Sequence, residues 1–288
     1  MPNNLDSARR AIDYGAAGTP PLGVEIVDPG SQKPIQEDLM MLPLDAVIEY
    51  PSSDETALDT SGEAEVSNGL RYHIKGDQKG RTVCASEWLC TKIAEETGIA
   101  SPQSALIRRL DGSLVFGSQR ISGVADKIVT LTFLTTPSQL SDLQTPPTLR
   151  RILSEIYAYD LFINNLDRHL GNYLSADVSG YRRLYAMDYS RALFFQWPFD
   201  GFPPPDQKTR FCGKILRQHH GFDEGAALNM IDKLGRLAPA IIEGFIKRMP
   251  PSWLPPELHR EFMDWWSNGG RIGRLIKLDA GLRDGRLL

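Results

Sequence analysis

Residues 165–172 read Asn-Leu-Asp-Arg-His-Leu-Gly-Asn, and Asp188 follows sixteen positions after Asn172, at the end of the run Leu184-Tyr-Ala-Met187. Asp167 and Asn172 are five residues apart. Helical neighbours recur at three and four, so this pair belongs to a loop rather than to one face of a helix. Gly171 relieves the backbone just before Asn172. Tyr173 to Ala176 then reads as a short strand, Asp177-Val-Ser-Gly180 as a turn, and Arg183 to Met187 as the returning strand. A hairpin of that size carries Asp188 back beside Asn172. An acid, an amide and a second acid so arranged suit phosphoryl transfer from a magnesium nucleotide: one group orients the attacking hydroxyl and two hold the ion. An Asp and an Asn in a loop also cap backbone groups. The three residues together, spread over one loop and one hairpin, favour the metal-binding alternative.

The amino-terminal half supplies a matching cradle. Ala64 to Ser67 and Leu70 to Lys75 alternate in polarity around Asn68-Gly69, the strongest short hairpin signal. Thr60-Ser61-Gly62 precedes the first of these strands and offers backbone N–H groups to phosphate oxygens. Lys75 ends the second strand, where it would pair with nucleotide phosphates; the bland alternative is a solvated edge charge. Ser86 to Thr97 carries Trp88, Leu89, Ile93 and Ala94 at helical spacing, with Gly98 as its terminator. Glu87 in the first turn of that helix is expected to orient Lys75, although an acid there also suits the helix dipole.

The stretch from Asn165 to Asn172, with Asp188, resembles the catalytic loop of the HipA-like kinases, which is similar in turn to that of phosphatidylinositol kinases. Ser86-Glu-Trp-Leu, Gly98 to Pro102, Leu114-Val-Phe-Gly-Ser118 and Met249-Pro-Pro-Ser-Trp253-Leu extend the resemblance over roughly residues 58–278. It implies an α+β, two-lobed protein-kinase-like fold with a small sheet-rich N-lobe and a mostly helical C-lobe. It implies Asp167 as the catalytic residue, Asn172 and Asp188 as metal ligands, ATP and Mg2+ as cofactors, and a protein serine or threonine as acceptor. Tyr189-Ser190 stands where common protein kinases carry Phe-Gly. Leu114, Val115, Phe116 and Gly117, a strand placed near the inter-lobe hinge, are the candidates for adenine contacts. Thr60, Ser61, Gly62, Lys75 and Glu87 complete the nucleotide site. The alternatives are a small-molecule or lipid kinase and a nucleotide-binding scaffold without turnover.

A chain of 288 residues is long enough for two lobes. Its net charge of −4 argues against broad binding to nucleic acid or an anionic membrane. No apolar run approaches the ~20 residues of a membrane span. The start lacks a secretory signal, and three cysteines form no disulfide framework, so a reducing cytoplasm is expected. His219-His220 read as surface histidines.

Residues 1–40, rich in Pro and Gly, are expected to form a flexible arm. The N-lobe spans 41–123, a polar connector 124–147, and a helical C-lobe 148–288. Leu149, Ile152, Leu153, Ile156, Tyr157 and Phe162 mark the helix that delivers the chain into Asn165 and Asp167. Trp197 to Pro205 is either an acceptor-binding segment or a packed loop. Helices are expected over 224–237, 239–247 and 257–266, with Phe262, Trp265 and Trp266 in the core.

Overall fold

The computed structural model describes residues 42–52, 62–77, 82–137, 149–178 and 180–288, all of them in the second of the chain's two units, Met40–Leu288. Thr60 and Ser61 lie outside the described residues, as do the arm 1–40 and residues 138–148 of the connector.

Strands with period-two alternation build the first part. β1 (Leu44–Tyr50), β2 (Gly62–Val66), β3 (Arg71–Lys75), β4 (Ser104–Arg108) and β5 (Leu114–Gln119) close into a barrel in the order β1-β2-β3-β5-β4. All neighbours are antiparallel except β1 and β4, whose parallel pairing closes the ring. Ala64, Val66, Tyr72, Ile74, Ala105, Ile107 and Val115 pack together as its core. The space is tight enough that a Cβ on Gly117 would lie 2.5 Å from Cγ1 of Ile107. The Asn68-Gly69 turn joins β2 to β3; Gly69 takes φ 78° and the Leu70 N–H donates to Asn68 Oδ1 at 2.9 Å.

Residues of opposite parity leave the barrel core and join the larger one. Leu106 and Phe116 pack with Trp88, Leu89 and Ile93 of α1 (Val83–Thr97). Asp77 accepts the Cys84 N–H at 2.8 Å at the start of α1, and Gly98 ends it at φ 87°, the left-handed C-cap that glycine favours. The same core runs on through α2 (Lys127–Thr135), α3 (Leu149–Phe162), α4 (Lys208–His220), α5 (Glu224–Arg236), α6 (Pro239–Lys247), α7 (Pro256–Ser267) and α8 (Gly270–Arg283). One hairpin, β6 (Tyr173–Val178) and β7 (Tyr181–Ala186), interrupts these helices. The architecture is therefore mixed α/β, with a sheet-rich first part and a mostly helical carboxy-terminal half.

Two elements depart from expectation. α2 occupies part of the expected polar connector, with Asp126 accepting the Val129 N–H as its cap. α4 went unread because its buried face is Thr209, Arg210, Cys212, Gly213, Leu216 and His220, small or polar residues that give little apolar periodicity. His220 is consequently buried, not a surface histidine, and contacts the Leu134 carbonyl at 2.8 Å.

Candidate active site

Lys75 is the last residue of β3, paired with Phe116 in the ladder to β5. Its neighbour Ile74 packs inside the barrel, so strand alternation sends Lys75 to the opposite side, towards α1. Glu87 sits in the second turn of α1 and is buried. Lys75 Nζ donates to Glu87 Oε1 at 2.5 Å and to Asp188 Oδ1 at 2.8 Å. Three sequence-predicted residues, separated by up to 113 positions, thus share one ion-paired centre.

Burial works against the Lys75 ammonium, but Asp188 and Glu87 together outweigh it and hold its pKa above the ordinary lysine value. Burial also opposes ionisation of Asp188; Lys75, with the Ser190 hydroxyl and N–H, prevails and holds its carboxyl well below the usual range. Glu87 is pushed up by burial, against the pull of Lys75. Asp188 itself adopts φ 65°. That left-handed conformation costs a non-glycine residue on the order of 1 kcal/mol, and the bonds to Lys75 and Ser190 hold it in place.

The hairpin β6–β7 brings the two ends of the motif together. The Met187 N–H donates to the Asn172 carbonyl at 3.1 Å, next to Asp188. Asn172 Nδ2 donates to the Asp167 carbonyl at 3.0 Å, tying both ends of the loop. A Cβ on Gly171 would meet the ring of exposed His169 at 3.0 Å, a tight contact that a small shift of that ring relieves. The Gly171 N–H donates to His169 Nδ1 at 3.1 Å. Burial pushes His169 below its ordinary value, Asp167 opposes and Lys208 reinforces.

Beneath the loop lies a web whose outer members, Asp160 and Thr209, sequence reasoning missed. The Arg168 guanidinium is buried and forks onto Asp160 of α3, with Nε at 2.8 Å and Nη2 at 2.9 Å. Its Nη1 reaches the carbonyls of Asn172 (3.1 Å) and Met187. Asn165 Nδ2 donates to Asp160 Oδ1 at 2.9 Å. Thr209 of α4 donates to the Asn165 carbonyl at 2.5 Å and accepts the Arg168 N–H at 3.0 Å. A bidentate, fully enclosed pair of this kind fixes geometry more than it adds stability. The spacing of Asp160 from Arg168, eight positions on, gives no local signal of the pairing.

Asp167 is half-buried. Its Oδ1 is 2.6 Å from Lys208 Nζ and its Oδ2 3.8 Å from Arg191 Nε. Neither cation was anticipated.

The remaining candidates fall elsewhere. Gly62 begins β2 opposite Ile74. At φ 130°, with a Cβ position 2.1 Å from the Tyr50 carbonyl, it answers to backbone crowding. Leu114, Val115, Phe116 and Gly117 lie within β5, between β3 and β4. Phe116 and Gly117 are paired on both sides, Val115 packs in the barrel core, and the Leu114 carbonyl accepts Trp253 Nε1 at 3.2 Å. Trp197 to Pro205 is a packed loop: Trp197 meets Phe262 and Trp265 edge-on. Arg274 of α8 donates to Gly201, Phe162 and Leu161 carbonyls at 2.6–2.7 Å. Its guanidinium lies 4.2 Å from the Phe199 ring and 4.4 Å from that of Phe202. Burial lowers its pKa to about 9. Among the described residues no cluster of three or more His, Cys, Asp or Glu side chains forms a metal site, and no helix is long and apolar enough to cross a membrane.

Residues 63–194 match the family model described as HipA-like kinase. That segment belongs to the HipA-like kinase family. It contains Lys75, Glu87, Asp167, Asn172, Asp188 and Arg191, and stops short of Lys208. The crystal structure of a Helicobacter pylori proinflammatory kinase, CtkA, is similar with a TM-score of 0.55 at 15% identity, covering 83% of this chain and 97% of that one. HipA of Shewanella oneidensis MR-1, solved with HipB and operator DNA, gives a TM-score of 0.42 at 10% identity, covering 73% and 60% of the two chains. No curated protein matches. The likeness to CtkA extends the HipA-like segment's fold across most of the chain.

Proposed function

We propose that the chain is an ATP-dependent kinase that transfers the γ-phosphoryl group to a hydroxyl, most simply of a protein serine or threonine. The observation that carries it is Lys75, held at once by Glu87 of α1 and by Asp188 at the end of the hairpin. In this reading the barrel with α1, residues 41–123, is an N-lobe, residues 124–147 a connector and residues 148–288 a helical C-lobe, with the site between them. The three buried free cysteines suit a reducing cytoplasm.

The donor set suits Mg2+. Lys75 and Ser190 both use Oδ1 of Asp188, and neither of these bonds engages Oδ2. Asn172 is oriented through its Nδ2, which turns its amide oxygen to the other side. Two hard oxygens and a shell of water match the few protein ligands Mg2+ takes. The ion, when bound, would neutralise charge on the phosphates.

The chain's own residues then divide the work. Lys75 pairs with the nucleotide phosphates, and Glu87 keeps its ammonium aimed. Asp167 orients the acceptor hydroxyl and takes its proton. Arg168 keeps the Asp167 and Asn172 backbones in register by holding Asp160 and the Asn172 carbonyl. Adenine contacts fall to Leu114, Val115, Phe116 and Gly117 of β5, the first two of which are paired on the β4 side alone. Alignment of this kind supplies most of the barrier reduction in phosphoryl transfer.

The test uses γ-labelled ATP, Mg2+ and cell lysate as the source of acceptors. Asp167→Ala is expected to lose transfer by about a thousandfold or more while keeping nucleotide affinity. Label transfer by the variant at the parent rate would remove Asp167 from the mechanism.

A further inference from the structure

Phosphoryl transfer develops charge on the moving group, and a cation beside the acceptor is the usual means of offsetting it. The loop itself offers none. Arg168 is buried on Asp160 and two carbonyls. His169, two positions past Asp167, uses its Nδ1 to accept the Gly171 N–H, as a neutral ring does. Lys75 is shared by two carboxylates. Lys208 is different. Its Nζ lies 2.6 Å from Asp167 Oδ1, yet its side chain is 61% exposed.

The position is not a device of helix stability. Lys208 is the first residue of α4, where a cation opposes the helix dipole, and Gln207 before it gives no side-chain cap. The backbone there is nonetheless fixed on the catalytic loop, because the next residue, Thr209, bonds both Asn165 and Arg168. An anchored Cα with a flexible four-carbon stem lets Nζ turn from the carboxylate to an arriving anion.

We propose that Lys208 is a further catalytic residue of this site, whose ammonium leaves Asp167 Oδ1 to neutralise the transferring phosphoryl group. The proposal rests on the kinase reading. In the step, the acceptor oxygen bonds to the γ-phosphorus as the bond from that phosphorus to the bridging oxygen breaks. ADP leaves with the electron pair of the broken bond, and Asp167 receives the hydroxyl proton. Lys208 keeps its own protons and donates hydrogen bonds to the non-bridging oxygens. The role falls outside the segment 63–194, so it is supplied by α4 rather than by the loop motif.

Full-length parent, Lys208→Ala, Lys208→Arg and Asp167→Ala are compared in ADP formation from Mg–ATP, affinity for a fluorescent N-methylanthraniloyl-ATP, and melting temperature. Loss of one such donor is expected to lower kcat in Lys208→Ala by roughly a hundredfold. Analogue affinity should stay within about twofold, and melting should be unchanged or slightly raised, since an unfavourable helix-end charge is removed. Lys208→Arg should recover part of the rate. A kcat within about threefold of the parent, with Asp167→Ala strongly impaired, would leave Lys208 an ordinary surface ion pair and overturn the proposal while sparing the kinase reading. A fall in melting temperature that tracks the loss of rate would overturn it in favour of a structural role. A parent that neither binds the analogue nor forms ADP would sink both.

Discussion

Lys75 and Lys208 each hold a carboxylate that the catalytic motif supplies, but one does so in near-complete burial and the other at the surface. The Lys75 centre joins the barrel, α1 and the hairpin, with side chains 9% and 2% exposed for Lys75 and Glu87. The Lys208 centre joins α4 to the loop through side chains 61% and 23% exposed. The first is preformed and expensive to take apart, because a charge left alone in the interior must be paid for in desolvation. The second costs little to open, since water replaces either partner. Under the kinase proposal, a site that holds a nucleotide rigidly and lets an acceptor come and go uses one of each.

The comparison can be pressed hardest at the floor that serves both centres. Asp160→Ala strands the enclosed Arg168 and is expected to cost about 4 kcal/mol in urea unfolding. A loss below about 1 kcal/mol would mean that the floor relaxes and that the loop does not depend on it. Lys75→Met leaves Glu87 and Asp188 without their shared cation, and about 3 kcal/mol should go, read by the same titration.

Acid sharpens the contrast within the buried centre. Asp188 is held below its unfolded value, so its contribution is complete above about pH 4 and is lost as pH falls towards its folded value. Glu87 is shifted the other way, so the folded state takes up its proton first and gains relative stability as pH falls. The acid limb of stability should therefore be shallower in Asp188→Asn than in the parent and steeper in Glu87→Gln, measured by unfolding between about pH 5 and pH 3. Identical limbs would show that the two carboxylates do not share the ammonium. The smallest effect belongs to the surface centre: Asp167→Ala should move stability by less than about 1 kcal/mol, even as transfer is lost.

Local pattern accounts for much of what was legible. The Asn68-Gly69 hairpin, the Gly98 stop and the return of the chain from Asn172 to Asp188 all rest on turn chemistry and period-two alternation, which a sequence displays directly. Glu87 was legible as a partner for Lys75 only because a strand end and an amphipathic helix lay next to one another. Lys208 and Thr209 were not, since a polar helix face carries no period and contact with the loop spans 41 positions. Gly117 shows a demand that no local pattern displays: its lack of a side chain answers to Ile107 across the barrel core.

Arg274 donates three bonds to main-chain oxygens from α3 and from the loop after the hairpin, and two aromatic rings sandwich its head. The path of that loop is in that sense dictated from the far carboxy-terminal helix. A protein clipped ahead of Gly270 would retain each side chain assigned to chemistry but lose Leu275, Leu278 and Leu282 from the core they share with α3, and its helical half is expected to unfold.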